Sequence, residues 1–323
     1  MKASQLLHTA FVCDGHADTF RNIVKKGGDF LRGSGGWHCS LPRMRQAGLN
    51  LQIEAVYTSL EEVGPIGTAV ALQVIEKIHQ TVEASAGRLR LVQSRTQLAE
   101  LITRGGQGVL ISLEGVDPLL GNLELLDAFY RLGLRALGLT HNHNSPAAGA
   151  CGANPVAGLS AHGRELLDRM SELGILLDTA HLGRQAFDEA LEHYRGPMIN
   201  SHSCCQKFVP GERNLEDAQI RALADSGGLV AVTFVPKFLV TEGTSSSRDV
   251  FRHLEHMVEV AGIDAVAIGS DFDGVEVLPG DLQDPRDLVH LVERMLEAGW
   301  SDSDIAKILG GNWVRVLGSV LPN

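Results

Sequence analysis

Histidine and carboxylate side chains recur along this chain where short apolar runs end. The first example is VCDGHADTF, residues 12–20, in which the small Ala17 separates His16 from Asp18. Residues two apart lie on the same face of an extended chain, so both side chains can approach one ion. A pair of this kind also occurs by chance, and alone it is weak support for a metal site.

Further groups of the same type follow later apolar runs. They are Glu114 in SLEGVD, His141 and His143 in LTHNHN, Asp178 and His181 in LLDTAHLG, His202 in INSHS, and Asp271 and Asp273 in GSDFDG. Imidazole nitrogen and carboxylate oxygen favour Zn²⁺, with Mn²⁺, Co²⁺ or Fe²⁺ as alternatives. Taken singly, each group could also be a solvated rim residue or a histidine that bonds to loop carbonyl groups.

The apolar runs that carry these residues are predicted to be eight β-strands. Their ranges are 11–15, 49–58, 108–114, 134–140, 176–180, 198–202, 228–234 and 265–270. Helix signals lie between them, including Ser94, Ser160 and Ser301 at N-cap positions and Asp284 before Pro285. Alternating strands and helices indicate a parallel sheet. Eight such units in 323 residues favour an α/β fold with a single (β/α)8 barrel domain, residues 1–323, over an open doubly wound sheet.

In a barrel of this kind the carboxyl ends of the strands share one face, where active sites are built. The scattered polar residues are therefore predicted to meet at one rim. Several acids there would repel one another, and divalent cations offset that repulsion. The ligands suffice for two metal ions, which at roughly 3.5–4 Å apart can share a water molecule and make it a hydroxide nucleophile near neutral pH.

Other residues near the predicted site are assigned supporting roles. Asp14 and Asp273 are expected to make hydrogen bonds that shape their loops, and His143 is expected to be structural. Asp178 either orients a ligand imidazole or points away from the site. Cys204 and Cys205 follow the predicted strand of His202, and we expect them to be buried spectators.

The composition excludes several classes of partner. Acidic residues exceed basic ones, 39 against 28, giving a net charge of −11. A nucleic-acid partner would need a basic surface, so none is expected. No run of about 18 apolar residues is present, so no segment is expected to enter a membrane. The amino terminus does not resemble a secretion signal, and five cysteines without CxxC spacing indicate reduced thiols, which together predict a cytoplasmic protein.

The ordered series DGHAD, SLEG, LTHN, DTAH, NSHS, ERN and GSDFDG closely resembles the membrane (renal) dipeptidase family of binuclear zinc peptidases. The similarity extends from about residue 11 to the C-terminal helix. It implies a (β/α)8 barrel of the metal-dependent hydrolase type, two Zn²⁺ per chain and a homodimer. It also implies a dipeptidase that hydrolyses small dipeptides with free termini through a metal-bridging hydroxide.

The resemblance further implies a metal ligand set. His16 and Asp18 would bind one zinc ion, and His181 and His202 would bind the second. Glu114 would bridge the two ions.

Three more residues receive roles by the same resemblance. His141 would lie beside the scissile carbonyl and stabilise the tetrahedral intermediate. Arg213, in GERN, would hold the substrate's terminal carboxylate. Asp271 would meet the substrate's free amino group and relay a proton to the leaving amine. A site with these two opposite charges measures the length of a dipeptide, because a longer peptide would leave one charge unpaired.

Three positions depart from the family pattern. Ser40 occupies a position in WHCSLPRMRQAG where an acid is expected, NSPAAG lacks a tryptophan after LTH, and Phe238 replaces a tyrosine near the substrate. These differences leave the substrate preference open. The alternative is a related binuclear-metal amidohydrolase acting on another small amide, a cyclic amide, a lactone or a modified amino acid. A non-catalytic metal- or ligand-binding barrel is the third hypothesis.

Overall fold

Parallel strands form one sheet that curls into a nearly closed barrel. The computed structural model describes residues 1–154 and 157–323. The strands are β1 Val12–Ala17, β2 Leu49–Tyr57, β3 Leu89–Leu91, β4 Gln107–Glu114, β5 Leu134–Gly138, β6 Leu176–Asp178, β7 Met198–Ser203, β8 Leu229–Val232 and β9 Val266–Ile268. Their order is β1-β2-β4-β5-β6-β7-β8-β9, so the predicted α/β barrel is confirmed. The short β3, which pairs with the start of β4, was not predicted.

The barrel closes where the end of β1 meets the segment after β9. The Asp271 amide donates to the carbonyl of His16 at 3.1 Å, and the Asp18 amide donates to the carbonyl of Phe272 at 2.9 Å. These bonds continue a parallel ladder beyond the regular strands. Closure therefore holds Asp271 directly beside the HAD segment, although the two are far apart in sequence.

Helices follow the strands and cover the outside of the barrel. The α-helices are α1 Ala3–Thr9, α2 Thr19–Lys26, α3 Leu41–Ala47, α4 Pro65–Ala84, α5 Arg95–Arg104, α6 Leu123–Arg131, α7 Ala161–Leu173, α8 Arg184–His193, α9 Asp217–Asp225, α10 Pro236–Leu239, α11 Ser247–Ala261, α12 Leu288–Glu297, α13 Asp302–Ala306 and α14 Asn312–Val320. In the described ranges, no helix combines the length and the apolar character needed to cross a bilayer.

The predicted capping residues begin helices as expected. Ser94, Ser160 and Ser301 accept backbone N–H bonds in the first turns of α5, α7 and α13. Asp284 differs, because it caps the 3₁₀ turn Pro285–Asp287, which leads into α12. Two segments read as loops, 27–44 and 241–249, are shorter than predicted because α3 and α11 begin inside them.

Trp313 fills the space between β1 and β9 below the point of closure. Its side chain is fully buried, and its indole N–H donates to the carbonyl of Ile268 at 3.1 Å. It belongs to the inner core, together with Cys13, Leu51, Ile53, Leu110, Leu176, Ile199 and Leu229. The indole lies against Gly15 so closely that a Cβ atom at residue 15 would overlap the ring. Glycine at this position is thus required by packing.

Replacing Gly15 with alanine should therefore destabilise the protein. Overpacking of a tight core costs about 1–3 kcal/mol. The matched control is Gly318→Ala in α14, where a Cβ atom would meet nothing within 4 Å and alanine should add about 0.5–1 kcal/mol of stability. Urea unfolding midpoints of the two variants should move in opposite directions. A Gly15→Ala midpoint at or above that of the wild type would contradict this role for Trp313.

Candidate metal centre and substrate pocket

Two one-residue irregularities direct histidines toward the barrel mouth. In β1, Asp14 pairs with Gln52 of β2 and Ala17 pairs with Glu54, so β1 has one more residue than β2 over this stretch. In β7, Asn200 pairs with Val230 of β8 and Ser203 pairs with Val232, so β7 likewise has one extra residue. An extra residue in a strand reverses the alternation of side chains beyond it. The odd-numbered positions of each strand face the interior before the bulge, whereas His16 and His202 face the site after it.

Glu114 is the centre of a tight group of imidazoles. Its Oε1 lies 2.9 Å from His181 Nε2, 3.5 Å from His202 Nε2 and 3.7 Å from His16 Nε2, and its Oε2 lies 4.0 Å from His141 Nε2. The Nε2 atoms of His181 and His202 are 3.2 Å apart. Nitrogens and oxygens from five strand ends thus point at one small volume.

Asp18 and Asp271 complete this group. Within the described residues, three sets have ligand atoms within 4.8 Å of one another, and the sets share members. They are His16–Asp18–Glu114, His16–His202–Asp271 and Glu114–His141–His181. The structure therefore brings together all five predicted metal ligands, with His141 and Asp271 beside them.

The donor set fits metal ions, as judged by its unpaired atoms. His16 Nε2 and Asp18 Oδ1 are buried and have no hydrogen-bond partner. A buried polar atom without a partner costs free energy, which a bound cation would offset. Nitrogen and carboxylate donors in this mixture suit zinc and similar divalent ions.

The electrostatics of the site lead to the same conclusion. Burial, and then the charge of Glu114, raises the pKa of the Asp18 carboxyl well above its usual range, and burial also raises the pKa of Asp271. Burial lowers the pKa of His181 to about 3 and that of His202 well below its usual value. The acids therefore resist losing their protons and the imidazoles stay neutral, which is the state in which histidine binds metals.

Glu114 is the exception among the acids. Burial would raise the pKa of its carboxyl, but the imidazoles of His141, His16 and His181 outweigh burial and hold the pKa below its ordinary value. It is thus the carboxylate most readily ionised at the centre of the group.

Comparison with known proteins identifies this arrangement. The profile of the membrane dipeptidase family, peptidase family M19, matches residues 1–321. The chain belongs to the membrane dipeptidase family. It is accordingly a metal-dependent hydrolase of peptide bonds.

Individual relatives agree with this assignment. A Klebsiella pneumoniae protein, described as an uncharacterized protein in the pqqA 5' region, is 33% identical over 258 residues, 77% of this chain and 95% of its own. The metallopeptidase dipeptidase AC is 26% identical, with a TM-score of 0.91 over 98% of this chain and 100% of its own. A Rhodobacter sphaeroides metallopeptidase bound to a phosphinate mimic of L-Ala-D-Ala is 25% identical, with a TM-score of 0.90 over 97% and 99%.

In this dipeptidase-family site, Ser201 supports two histidines at once, a role that the sequence did not suggest. Its hydroxyl lies 2.8 Å from His202 Nδ1 and 3.4 Å from His16 Nδ1. The Ser201 amide donates to Asp178 Oδ1 at 3.0 Å. Asp178 thus acts on the ligand histidines through Ser201, not by direct contact.

Arg213 and Phe238 border the open side of the site. A cavity of about 240 Å³ is lined by the acids Asp18, Glu114 and Asp271 together with Arg213 and Phe238. Arg213 Nη1 donates to the carbonyl of His202 and to Ser203 Oγ, which fixes the guanidinium at the cavity wall. The acids next to it in sequence do not pair with it, because Glu212 accepts the Gly152 amide and Glu216 pairs with Arg184.

Tyr57 is a further cavity residue that the sequence analysis did not single out. It ends β2, and its ring centroid lies 5.1 Å from that of His141. Burial, and then the charge of Asp18, raises the pKa of Tyr57 to about 12, so the phenol keeps its proton and can donate a hydrogen bond. Its position at the end of a strand, like that of the histidines and acids, could have identified Tyr57 as a site residue from the sequence.

The residues expected to be structural make the contacts of that role. Asp14 accepts the Ser270 amide at 2.8 Å and its hydroxyl at 2.5 Å. His143 Nε2 lies 3.0 Å from Asp117 Oδ2, which ties two loops together. Cys204 and Cys205 are buried, and burial raises the pKa of both thiols.

Asp273 fastens the glycine-rich segment beside the site. It accepts the backbone N–H groups of His38 and Cys39 and the hydroxyl of Thr19. His38 Nδ1 in turn accepts the Asp273 amide at 2.9 Å. His181, Asp271 and Asp273 all have φ near +65°, a conformation that costs free energy and that packing around the site must enforce.

Loss of the Ser201 hydroxyl should weaken metal binding without unfolding the barrel. Groups that orient ligand histidines typically contribute 10–100-fold to metal affinity, so Ser201→Ala should raise the zinc dissociation constant by roughly that factor. Ser112→Ala is the matched control, since Ser112 is also buried in a strand. Competition with a chromophoric chelator measures both. Equal affinities for the two variants would remove Ser201 from the metal site.

Metal affinity should also rise with pH. Because burial raises the pKa of Asp18 and Asp271, an incoming cation must displace protons from carboxyls that retain them above their usual range. Metal binding then releases protons, and raising the pH from about 5.5 to about 7.5 should strengthen binding by roughly tenfold or more. The same chelator competition at several pH values measures this. An affinity independent of pH would contradict it.

Proposed function

We propose that this chain is a zinc-dependent dipeptidase that hydrolyses small dipeptides with free termini. The observation that supports it most directly is the composition of one cavity. Its lining contains the histidine–carboxylate cluster, the acid Asp271 and the cation Arg213. A dipeptide carries a cation at one end and an anion at the other, and this cavity offers the opposite charge for each.

In this proposal two Zn²⁺ ions occupy the cluster. His16 and Asp18 would hold one, His181 and His202 the other, and Glu114 would bridge them. Bound zinc supplies a Lewis acid and lowers the pKa of a water molecule to near 7. The low pKa of Glu114 suits a carboxylate that must stay ionised between two cations.

Arg213 and Asp271 would align the substrate. Arg213 pairs with the terminal carboxylate through charge-assisted hydrogen bonds. Asp271 accepts hydrogen bonds from the ammonium group and, being next to the scissile bond, can deliver a proton to the leaving nitrogen. Fixing both ends converts weak encounters into an oriented complex, which lowers the entropic part of the barrier.

His141 would act on the carbonyl oxygen. Its ring lies between Tyr57 and His181, with centroid distances of 5.1 and 4.8 Å, and its Nε2 is near Asn142 at 3.0 Å. An N–H directed at the oxygen where negative charge develops stabilises the transition state more than the ground state.

The substrates to test first include dipeptides with a D-residue at the carboxyl end. The Rhodobacter sphaeroides relative was crystallised with a mimic of L-Ala-D-Ala. Purified enzyme with zinc should hydrolyse members of a panel of L-L and L-D dipeptides, and chelator should abolish turnover. Absence of chelator-sensitive turnover on every dipeptide would sink the proposal. Turnover of a cyclic amide or lactone instead would favour the alternative amidohydrolase.

Arg213→Met should separate binding from chemistry. Loss of a charge-assisted pair costs about 1.5–3 kcal/mol, so KM for a free dipeptide should rise roughly 10- to 150-fold with a smaller change in kcat. A dipeptide amide, which lacks the terminal carboxylate, is the matched control substrate. Its KM should be nearly the same with Arg213→Met as with the wild-type enzyme. Equal losses on both substrates would assign Arg213 a structural role. The homodimer and the cytoplasmic location stay predictions from the sequence.

A further inference from the structure

A second cavity opens beside the substrate cavity. This side pouch, about 370 Å³ in volume, is lined by Cys151, Val209, Pro210, Glu212, Lys237 and Phe238. Asn142, Arg213, Lys237 and Phe238 border both cavities. The pouch thus adjoins the substrate cavity at Arg213, the residue assigned above to the substrate's terminal carboxylate.

Lys237 brings a positive charge to this boundary. Its Nζ lies 5.0 Å from the centroid of the Phe238 ring, and the Arg213 guanidinium carbon lies 5.5 Å from the same centroid. No carboxylate oxygen within residues 1–154 and 157–323 lies within 4.0 Å of Lys237 Nζ. Lys237 therefore places a positive charge without a carboxylate partner at the wall that the two cavities share.

Among the described residues that line the pouch, Glu212 is the only acid. Glu212 Oε2 accepts the Gly152 amide at 2.9 Å. Val209, Pro210 and Phe238 give the pouch an apolar part, and Asn142 and Asn214 are its uncharged polar residues. A side chain that fits here has methylene groups against this wall and a negative group for the lysine.

We propose that Lys237 selects dipeptides whose carboxyl-terminal residue has an acidic side chain. This inference rests on the proposed dipeptidase function, because Arg213 must hold the terminal carboxylate. The side-chain carboxylate of a glutamate or aspartate residue then enters the side pouch and pairs with Lys237. Both cations lie over the Phe238 ring, at 5.5 and 5.0 Å from its centroid, and in this proposal Arg213 pairs with the terminal carboxylate and Lys237 with the side-chain carboxylate.

The test compares isosteric dipeptides that differ in one charge. With wild-type enzyme, kcat/KM for Ala-Glu should exceed that for Ala-Gln, with both L and D forms of the second residue assayed. Lys237→Ala should lower kcat/KM for Ala-Glu roughly fivefold, the upper range for an ion pair exposed to solvent, and leave Ala-Gln within about twofold. Lys237→Glu should shift the preference toward Ala-Lys.

Lys207→Ala is the matched control. Lys207 is also exposed and also lies over an aromatic ring, 5.5 Å from the centroid of Phe208, but it borders neither cavity. This variant should keep the wild-type ratio of Ala-Glu to Ala-Gln. Thermal unfolding of all three variants shows whether a loss reflects misfolding.

Two results would overturn the selectivity proposal. One is equal kcat/KM for Ala-Glu and Ala-Gln with the wild-type enzyme. The other is a Lys237→Ala variant that loses as much on Ala-Gln as on Ala-Glu, since Lys237 would then serve the terminal carboxylate or the fold.

A binding measurement keeps the selectivity separate from the proposed function. If no dipeptide is hydrolysed, the dipeptidase proposal fails. The affinities of zinc-loaded enzyme for phosphinate mimics of Ala-Glu and Ala-Gln still decide the role of Lys237. Tighter binding of the Ala-Glu mimic that Lys237→Ala abolishes supports selectivity, and equal binding of the two mimics overturns it.

Discussion

The arrangement of charge at the barrel mouth constrains the rest of the structure. Asp18, Glu114 and Asp271 are buried within a few ångströms of one another, and burial makes each additional negative charge costly. The neighbouring imidazoles offset that cost for Glu114, whose pKa they lower, but not for Asp18 and Asp271, whose pKa values remain raised. Cations offset the remaining cost, so the proposed zinc ions would stabilise the ionised carboxylates of this buried group. The site is thus built to be completed by metal.

The fold positions these groups by departing from regular geometry at a few points. The bulges in β1 and β7 turn His16 and His202 inward, and positive φ angles orient His181 and Asp271. Gly274 shows the crowding that results, because a Cβ atom there would overlap the carboxylates of Asp18 and Asp271. A regular barrel would present fewer ligands to the same point. The bulges and strained residues therefore lower the stability of the fold somewhat, and in return they bring the ligand side chains to one point.

Much of this could be read from the sequence, for identifiable reasons. Histidines or acids follow six of the eight predicted strands, and in a barrel the carboxyl ends of all strands share one face, so the fold class predicted that these residues would meet there. The bulges could not be predicted, because no residue in VCDGHAD marks an extra step in register. Simple alternation would place Asp14 beside His16, whereas the structure pairs Asp14 with Ser270. Ser201 and Lys237 escaped notice because their roles depend on neighbours distant in sequence.

The bonds that close the barrel join residues 16–18 to residues 271–272. Two of the proposed ligands therefore belong to the first strand, yet their surroundings are complete only when the last quarter of the chain has been made. Contacts between such distant segments form late, since long loops must close first. All five proposed ligands lie within residues 16–202, so an emerging chain would carry every ligand before the residues that close the barrel are made. The closure that holds His16 and Asp18 beside Asp271 is therefore among the last parts of the site to form.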